Sequence, residues 1–386
     1  MTQAYQYIDT YDALRNFCQQ AEQQSVIAVD TEFVRTRTFY PQIGLIQIFD
    51  GIDVVLIDPI AIDDVSPLKA LLINPNVIKV LHACSEDLET FEYAMGIMPK
   101  PLFDSQVGAQ LAGLGNSLGY GRLVELLQGV VLEKGESRTD WISRPLSPKQ
   151  LQYAAEDVIY LLPCYHKLVE ILTENGQLHW VYDEIDQLIR RKRANIAPEH
   201  AYLLLKNTWK LQPINLYALQ LLAAWRLSYA REHDITQNFI IREQSAFEIA
   251  YRLPGHKSAL FALDIVTPQE ARRHCDIVLD LIQSARSASE TEYPAPTHRL
   301  TDVPLYKKHV AQIKEICTTA AEAVNVDPTY FASKRQINQI ISWYCLAFDD
   351  TRALGMEPDL LVGWRAELVG AKIKAAAQNF SQKFKE

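Results

Sequence analysis

Hydrophobic positions along the chain follow two rhythms. Up to about residue 205, short β-branched runs alternate with helical spacing. Val26-Ile27-Ala28-Val29, Leu45-Ile46-Gln47-Ile48-Phe49 and Val54-Val55-Leu56-Ile57 are apolar runs of strand length, and the turn dipeptide Asp50-Gly51 separates the last two. Their short connections predict antiparallel neighbours. Ile78-Lys79-Val80-Leu81 predicts a fourth strand, reached through a helix near residues 67–72. A further helix is expected to begin near Ser85, with Glu86 and Asp87 complementing the positive end of its dipole. Ser147 as N-cap, Pro148 at the first helical position, apolar spacing through Leu172 and Gly176 as a stop predict one long helix. This first part of the chain reads as a mixed α/β layer fold.

Beyond residue 205 strand signals thin out and helical spacing takes over, as in Leu216-Tyr217-Ala218-Leu219-Gln220-Leu221-Leu222-Ala223-Ala224-Trp225. Residues 287–299 are polar, contain Pro294 and Pro296, and read as a connection between two helical units. The expected organisation is therefore an α/β unit over 1–205, a helical unit over 206–288, a linker at 289–299 and a second helical unit over 300–386. Trp225-Arg226 and Trp343-Tyr344 fall in comparable amphipathic stretches and hint at a duplicated bundle.

Composition narrows the class. With 48% apolar residues, 22% charged residues and 33 glycines and prolines in 386 positions, the chain is neither disordered, collagen-like nor low-complexity. No apolar run approaches the roughly 18 residues of a membrane span, and the first six residues lack the layout of a secretory signal. A cytoplasmic location is expected, without a membrane or an obligate protein partner. Six widely spaced cysteines form no CxxC pair, so neither a zinc knuckle nor a disulfide framework is indicated. The net charge of −9 is unevenly spread: residues 1–200 hold 27 acidic and 16 basic side chains, and residues 201–386 hold 20 and 22. An acidic unit still handles a polyanion when divalent cations sit in its carboxylates, because the metal becomes the local positive charge.

Three groups of acids are candidates for that role. Asp30-Thr31-Glu32 closes the first apolar strand, and side chains two apart point to one face. Such a triplet also suits a strand running into a solvated turn. Asp87 follows the fourth strand at a helix start, where an acid also serves the dipole. Tyr153 and Asp157 are spaced i,i+4 on one helix face, and Asp157 stands among Ala154, Ala155, Val158 and Ile159, an unusual setting for an acid. Four carboxylates from three elements meet the needs of two hard divalent cations held through oxygen. The chemistry that suits such a pair, about 4 Å apart, is phosphoryl-ester hydrolysis by in-line displacement. A phenol with an ordinary pKa near 10 is a poor base at neutral pH, so Tyr153 is expected to orient the attacking water.

The longer strings narrow this further. Val29-Asp30-Thr31-Glu32-Phe33-Val34-Arg35-Thr36-Arg37-Thr38-Phe39-Tyr40-Pro41-Gln42 is the first. His82-Ala83-Cys84-Ser85-Glu86-Asp87-Leu88, continuing to Phe91, is the second. Ser137-Arg138-Thr139-Asp140-Trp141 leads through Arg144-Pro145-Leu146 to Tyr153-Ala154-Ala155-Glu156-Asp157-Val158 as the third. Together they resemble the three exonuclease motifs of the DEDD superfamily of 3′→5′ exonucleases in its tyrosine-bearing branch, and within it the ribonuclease D family. The C-terminal half is similar to two consecutive helicase-and-RNase-D C-terminal (HRDC) domains. The resemblance implies an α/β ribonuclease-H-like exonuclease domain, a mixed sheet flanked by helices, followed by two small all-α HRDC-like domains. It implies Asp30, Glu32 and Asp157 as ligands of a first Mg²⁺ or Mn²⁺, with Asp30 bridging to a second ion on which Asp87 acts. It also implies trimming of RNA with free 3′-hydroxyl ends, tRNA precursors above all, with release of nucleoside 5′-monophosphates.

Other residues are open to two readings. Phe33 is a base-stacking candidate or a core strand residue; His82 is a contact to the terminal sugar or phosphate, or a strand-end histidine satisfied locally. Cys84, without companion thiols, is assigned packing. The run Arg190-Arg191-Lys192-Arg193 suits phosphate contacts or a helix C-terminus, and Arg226, Arg231, Lys334, Arg335 and Arg365 are candidates for guiding RNA. A DNA 3′→5′ exonuclease is the nearest alternative function, because no residue reveals a sensor of the 2′-hydroxyl. A non-catalytic RNA-binding scaffold of the same fold is the other, against which the presence of all four acids and Tyr153 speaks.

Overall fold

The computed structural model describes residues 4–132, 135, 139–378 and 380; Ser137 and Arg138 of the third motif string lie outside the described residues. The N-terminal unit is built on one six-stranded sheet. Its strands are β1 (Gln6–Ile8), β2 (Val26–Val34), β3 (Gln42–Phe49), β4 (Val54–Ile57), β5 (Ile78–Leu81) and β6 (Leu102–Asp104), in the order β1-β4-β3-β2-β5-β6. β2, β3 and β4 pair antiparallel, as their short turns require, whereas β1 joins β4, and β5 and β6 extend β2, in parallel. The short edge strands β1 and β6 add to the four read from the sequence.

Among the described residues eight helices accompany the sheet: α1 (Tyr11–Ala21), α2 (Ser66–Ile73), α3 (Ser85–Met95), α4 (Ser105–Leu111), α5 (Tyr120–Gln128), α6 (Pro148–Ile159), α7 (Leu161–Glu174) and α8 (Leu178–Arg193). Period-2 alternation sorts the strand residues into two cores. Ile27, Val29, Ile46, Ile48, Val55 and Ile57 face one way and are covered by α1, α2 and α3. Ala28, Leu45, Leu56 and Val80 face the other and are covered by α5, α6 and α7. The single long helix expected from Ser147 to Gly176 is two helices that meet at Tyr160. The cause is Pro163, whose ring would strike the Ile159 carbonyl of a continuous helix; it sits instead in the first turn of α7, where no N–H is needed.

Beyond α8 the described chain is helical. A long helix α9 (Pro213–His233) packs with Glu243–Arg252 and Pro268–Ser287 around Leu219, Leu222, Ile249 and Val278. Ile196, Ala201 and Tyr202 belong to this same core, so the boundary expected at 205/206 cuts across it. The second helical unit, with helices Tyr306–Ala323 and Lys334–Cys345, shares a continuous core with the sheet unit: Trp364 stacks on Trp180 of α8 at 4.6 Å and donates its indole N–H to Glu184 at 2.7 Å. The first helical unit is tied to the sheet unit by polar bonds, Asp234 accepting from the Tyr40 amide at 2.9 Å and the Thr236 amide donating to the Arg37 carbonyl at 3.0 Å. Among the described residues no helix is long and apolar enough to cross a membrane.

Several candidate RNA guides serve these contacts instead. Arg365 is 1% exposed and binds Glu184 and the Phe331 carbonyl; Arg226 is 6% exposed and bonds the Gln237 and Ile241 carbonyls. Arg231 is held by Asn195 and the Ile196 carbonyl. Arg191 and Arg335 converge on buried Asp359, and Lys192 and Arg193 pair with Glu89 and Glu92 of α3. Most of these basic side chains are therefore engaged inside a unit, and Arg365 and Arg191 span the seam between the sheet unit and the second helical unit.

The segment before α6 is a strap laid across β3 and β4. Trp141 is buried, and the Arg144 guanidinium grips Asp58 with two bonds of 2.7 and 2.8 Å while donating to the Gly44 carbonyl. Gly44 is required there: a Cβ would stand 2.4 Å from the Trp141 carbonyl oxygen. Gly44→Ala is expected to lower the free energy of unfolding by about 1–3 kcal/mol through overpacking, measured by urea denaturation. Gly121→Ala, whose Cβ meets nothing within 4 Å, is the control and should lose nothing. An unchanged midpoint in Gly44→Ala would show that the strap does not rest on β3.

Candidate active site

β2 carries Asp30 and Glu32 on the face covered by α6, because the two alternate with Val29 and Thr31 along a pleated strand. A register shift between Glu32 and Phe33 ends the regular pairing just beyond the pair of acids, a common device for aiming side chains at a sheet edge. Beside β2, β5 ends at Leu81 and the chain turns through Ala83, held at φ 55°, into α3. The left-handed turn costs a non-glycine residue about 1–2 kcal/mol. It is fixed by Asp104, which accepts from the Ala83 and Cys84 amides at 3.1 and 2.8 Å. This turn delivers Asp87 in the first turn of α3, facing β2, where it accepts a 2.5 Å hydrogen bond from the Thr31 hydroxyl.

The strap sets the phase of α6. Ser147 and Gln150 form a reciprocal capping box, and Gln150 also donates to Thr139 and to the Asp140 carbonyl. With the start pinned, Ala154, Ala155 and Val158 face the sheet. The two alanines allow close approach, and Tyr153 and Asp157 flank that seam one turn apart. The Tyr153 hydroxyl lies near the Asp157 carboxylate and lowers its proton affinity.

Asp30, Glu32 and Asp157 each offer a carboxylate oxygen within 4.8 Å of the others. All seven residues singled out in the sequence, Asp30, Glu32, Phe33, His82, Asp87, Tyr153 and Asp157, line one cleft of about 240 Å³. Asp87 stands apart from the trio, its carboxylate engaged by Thr31. Phe33 is half-buried at the rim, and His82 places Nδ1 2.9 Å from the Ser105 hydroxyl. Cys84 is fully buried, in keeping with a packing role.

The electrostatics of the cluster are those of crowded anions. Burial, then repulsion from Asp157 and Asp87, pushes Glu32 up to about 9. Burial raises Asp157 to about 7 and Asp87 to about 6, in both cases against a favourable hydroxyl bond. Asp30 is raised well above the usual carboxylate range by burial and by Asp87, Asp157 and Glu32, with the Thr31 amide as its opposing donor. Burial and the same acids hold the Tyr153 phenol above its ordinary range, so it is protonated at neutral pH. An all-oxygen, multiply anionic donor set with raised proton affinity fits a hard divalent cation, whose charge would replace those protons.

Three participants were not anticipated. Thr31, the middle of the DxE triplet, links β2 to Asp87. Tyr120 of α5 lines the cleft and donates to the Glu156 carbonyl at 3.0 Å, bracing the turn of α6 that carries Asp157. Gly135 leaves room for the Tyr153 ring, since a Cβ there would lie 2.5 Å from Cδ2. Each depends on a contact between distant segments, which local spacing does not report.

Comparison with known proteins matches three segments of the chain. Residues 5–173 match the family model described as 3′-5′ exonuclease, residues 216–282 the HRDC domain, and residues 304–373 the ribonuclease D C-terminal HRDC domain. The chain is 43% identical to ribonuclease D of Cronobacter turicensis over 373 residues, covering 97% of this chain and all of the relative. It is 42% identical to ribonuclease D of Escherichia coli over 378 residues, covering 98% and 100%. The crystal structure of Escherichia coli RNase D, described as an exoribonuclease involved in structured RNA processing, superposes with a TM-score of 0.92 at 41% identity over 98% of this chain and 100% of that one. The catalytic core of Trypanosoma brucei RRP6 shares the fold at 23% identity and a TM-score of 0.59, covering 74% of this chain and 81% of that one. With identity on this scale over nearly the whole length, and a sheet unit followed by two helical units in the same order, the chain belongs to the ribonuclease D family of 3′→5′ exoribonucleases.

Proposed function

We propose that this exoribonuclease trims the 3′ ends of tRNA precursors and other structured RNAs, releasing nucleoside 5′-monophosphates with the help of two divalent cations, Mg²⁺ or Mn²⁺. The observation that carries the reading is the convergence of Asp30, Glu32 and Asp157 within 4.8 Å beside the Tyr153 hydroxyl. In this reading the three acids would hold one cation, and Asp30 and Asp87 would serve a second. Bound cations of this kind supply the positive charge that lowers the pKa of water and neutralises a leaving oxygen. Tyr153, protonated, orients the attacking water rather than removing its proton; the new P–O bond forms from water as the bond to the 3′ oxygen breaks. Phe33 at the rim is proposed to stack on the terminal base and His82 to meet its sugar or phosphate. The tRNA substrate rests on the family resemblance. A reducing, cytoplasmic setting suits the six cysteines, all of them buried.

A product-resolved digestion of a 3′-extended tRNA precursor tests this, run beside matched RNA and DNA strands with and without chelator. Nucleoside 5′-monophosphates released from the RNA 3′ end only with Mg²⁺ or Mn²⁺ are expected. Asp30→Ala and Asp157→Ala should abolish activity, and Tyr153→Phe should cost about 10²-fold or more in kcat. Full activity in either Asp variant would end the assignment of these acids.

The raised carboxylates also set a pH dependence. The native protein holds protons that the unfolded chain releases above about pH 4, the ordinary carboxylate range. Stability contributed by these sites is therefore greatest at low pH and is lost as pH rises through 6, 7 and 9, the values of Asp87, Asp157 and Glu32. Chelator-treated protein should melt at a lower temperature at pH 8.5 than at pH 6, Mn²⁺ should restore more at pH 8.5, and Glu32→Gln should flatten the slope. A slope identical in the parent and Glu32→Gln would contradict it.

A further inference from the structure

Gln47 is the one polar side chain set into the otherwise apolar centre of β3, and the described structure leaves it without a partner. It is 0% exposed, and neither its amide nitrogen nor its amide oxygen makes a hydrogen bond. Its place is specific. Gln47 lies directly opposite Asp30 in the antiparallel pairing of β2 and β3, and opposite Leu56 of β4 on the other side. Residues directly opposite in such a ladder project to the same face with Cβ atoms about 4.5–5.5 Å apart. That face is the one covered by α6, and its neighbouring positions are Ala28, Leu45 and Leu56. An apolar residue would fill the site, and a buried amide without a partner is costly to keep.

The hydrogen bonds around the acids show what is missing. Asp87 accepts from the Thr31 hydroxyl and Asp157 has the Tyr153 hydroxyl beside it, whereas Asp30, which faces repulsion from three other acids, receives no side-chain hydrogen bond among the described residues. A carboxamide fits the vacant role: it donates without carrying a charge that would compete with a cation for the carboxylate. A cross-strand neighbour is a place from which a side-chain amide could reach the carboxylate, directly or through one buried water.

We propose that Gln47 is a positioning residue for Asp30, its amide N–H holding the carboxylate turned toward the cleft so that both oxygens are presented to divalent cations. The inference rests on the reading of Asp30 as a cation ligand. Outer hydrogen-bond partners of metal ligands typically govern affinity by about 10–100-fold. Gln47 would do so from a strand that contributes no acid to the cluster.

The test is Mn²⁺ titration of the full-length protein without RNA, by calorimetry and by electron paramagnetic resonance of free Mn²⁺. Gln47→Met keeps the volume and removes the amide; Gln47→Asn keeps an amide but withdraws it by one methylene, and serves if the methionine variant fails to fold. Each is expected to bind Mn²⁺ about 10-fold more weakly. RNA digestion by Gln47→Met should recover as Mn²⁺ is raised. Affinity within twofold of the parent in the variant that folds, while Asp30→Asn loses binding, overturns the role of Gln47 and leaves Asp30 as a ligand. A lowered melting temperature with unchanged Mn²⁺ affinity also overturns it, as the mark of a packing role. A parent protein that binds no Mn²⁺ overturns the cation reading and this inference with it.

Discussion

Repulsion among crowded, largely desolvated carboxylates is the constraint around which the N-terminal unit is arranged. Asp30, Glu32 and Asp157 stand within 4.8 Å of one another, and burial together with their mutual charge raises their proton affinities. Nothing in the local sequence favours such a gathering, since each acid would be better solvated alone. The surrounding structure imposes it. β2 lies in mid-sheet between β3 and β5, so Asp30 and Glu32 cannot swing away, and α6 is pressed onto the sheet by a strap that Arg144, Asp58 and Trp141 pin down. The local cost is offset by packing elsewhere, a common division of labour between site and scaffold.

The two helical units are fastened to that scaffold in different ways. The second is joined through apolar contact, Trp364 on Trp180, with Glu184 receiving both the indole and Arg365. The first is joined through backbone and hydroxyl bonds between residues 37–40 and 234–236. Arginine is an agent at the seam with the second unit, where its planar fork satisfies carbonyls and carboxylates together. Removing one member of such a buried pair leaves the other unpaired, so these arginines are part of the architecture even though they lie in the half of the chain that resembles nucleic-acid-binding modules.

Where reading and structure part, the cause is identifiable. The helix expected to run from Ser147 to Gly176 breaks at Tyr160 because Pro163 cannot continue it. Arg226 and Arg365 read as guides for RNA because charge is ordinarily exposed, yet each is buried and bonded to backbone carbonyls of other segments of its own helical unit. The core of the first helical unit reaches back to Ile196 because a short 3-10 helix at Pro198–Leu204 packs under α9, which spacing alone assigns to neither side.

The strands β2 to β5, the acids on one face of β2, the pairing of Tyr153 with Asp157 and the family itself were legible in the sequence, because each is a local regularity. Period 2 puts Asp30 and Glu32 together, period 3.6 does the same for Tyr153 and Asp157, and the motif strings are contiguous. The tertiary structure alone decided that the three elements meet in one cleft, that Thr31 holds Asp87, that Tyr120 braces Asp157 and that Gln47 lies opposite Asp30. A pattern along one chain specifies which way a side chain faces; what it faces depends on strand register and helix docking, which are settled by the packing of the whole unit.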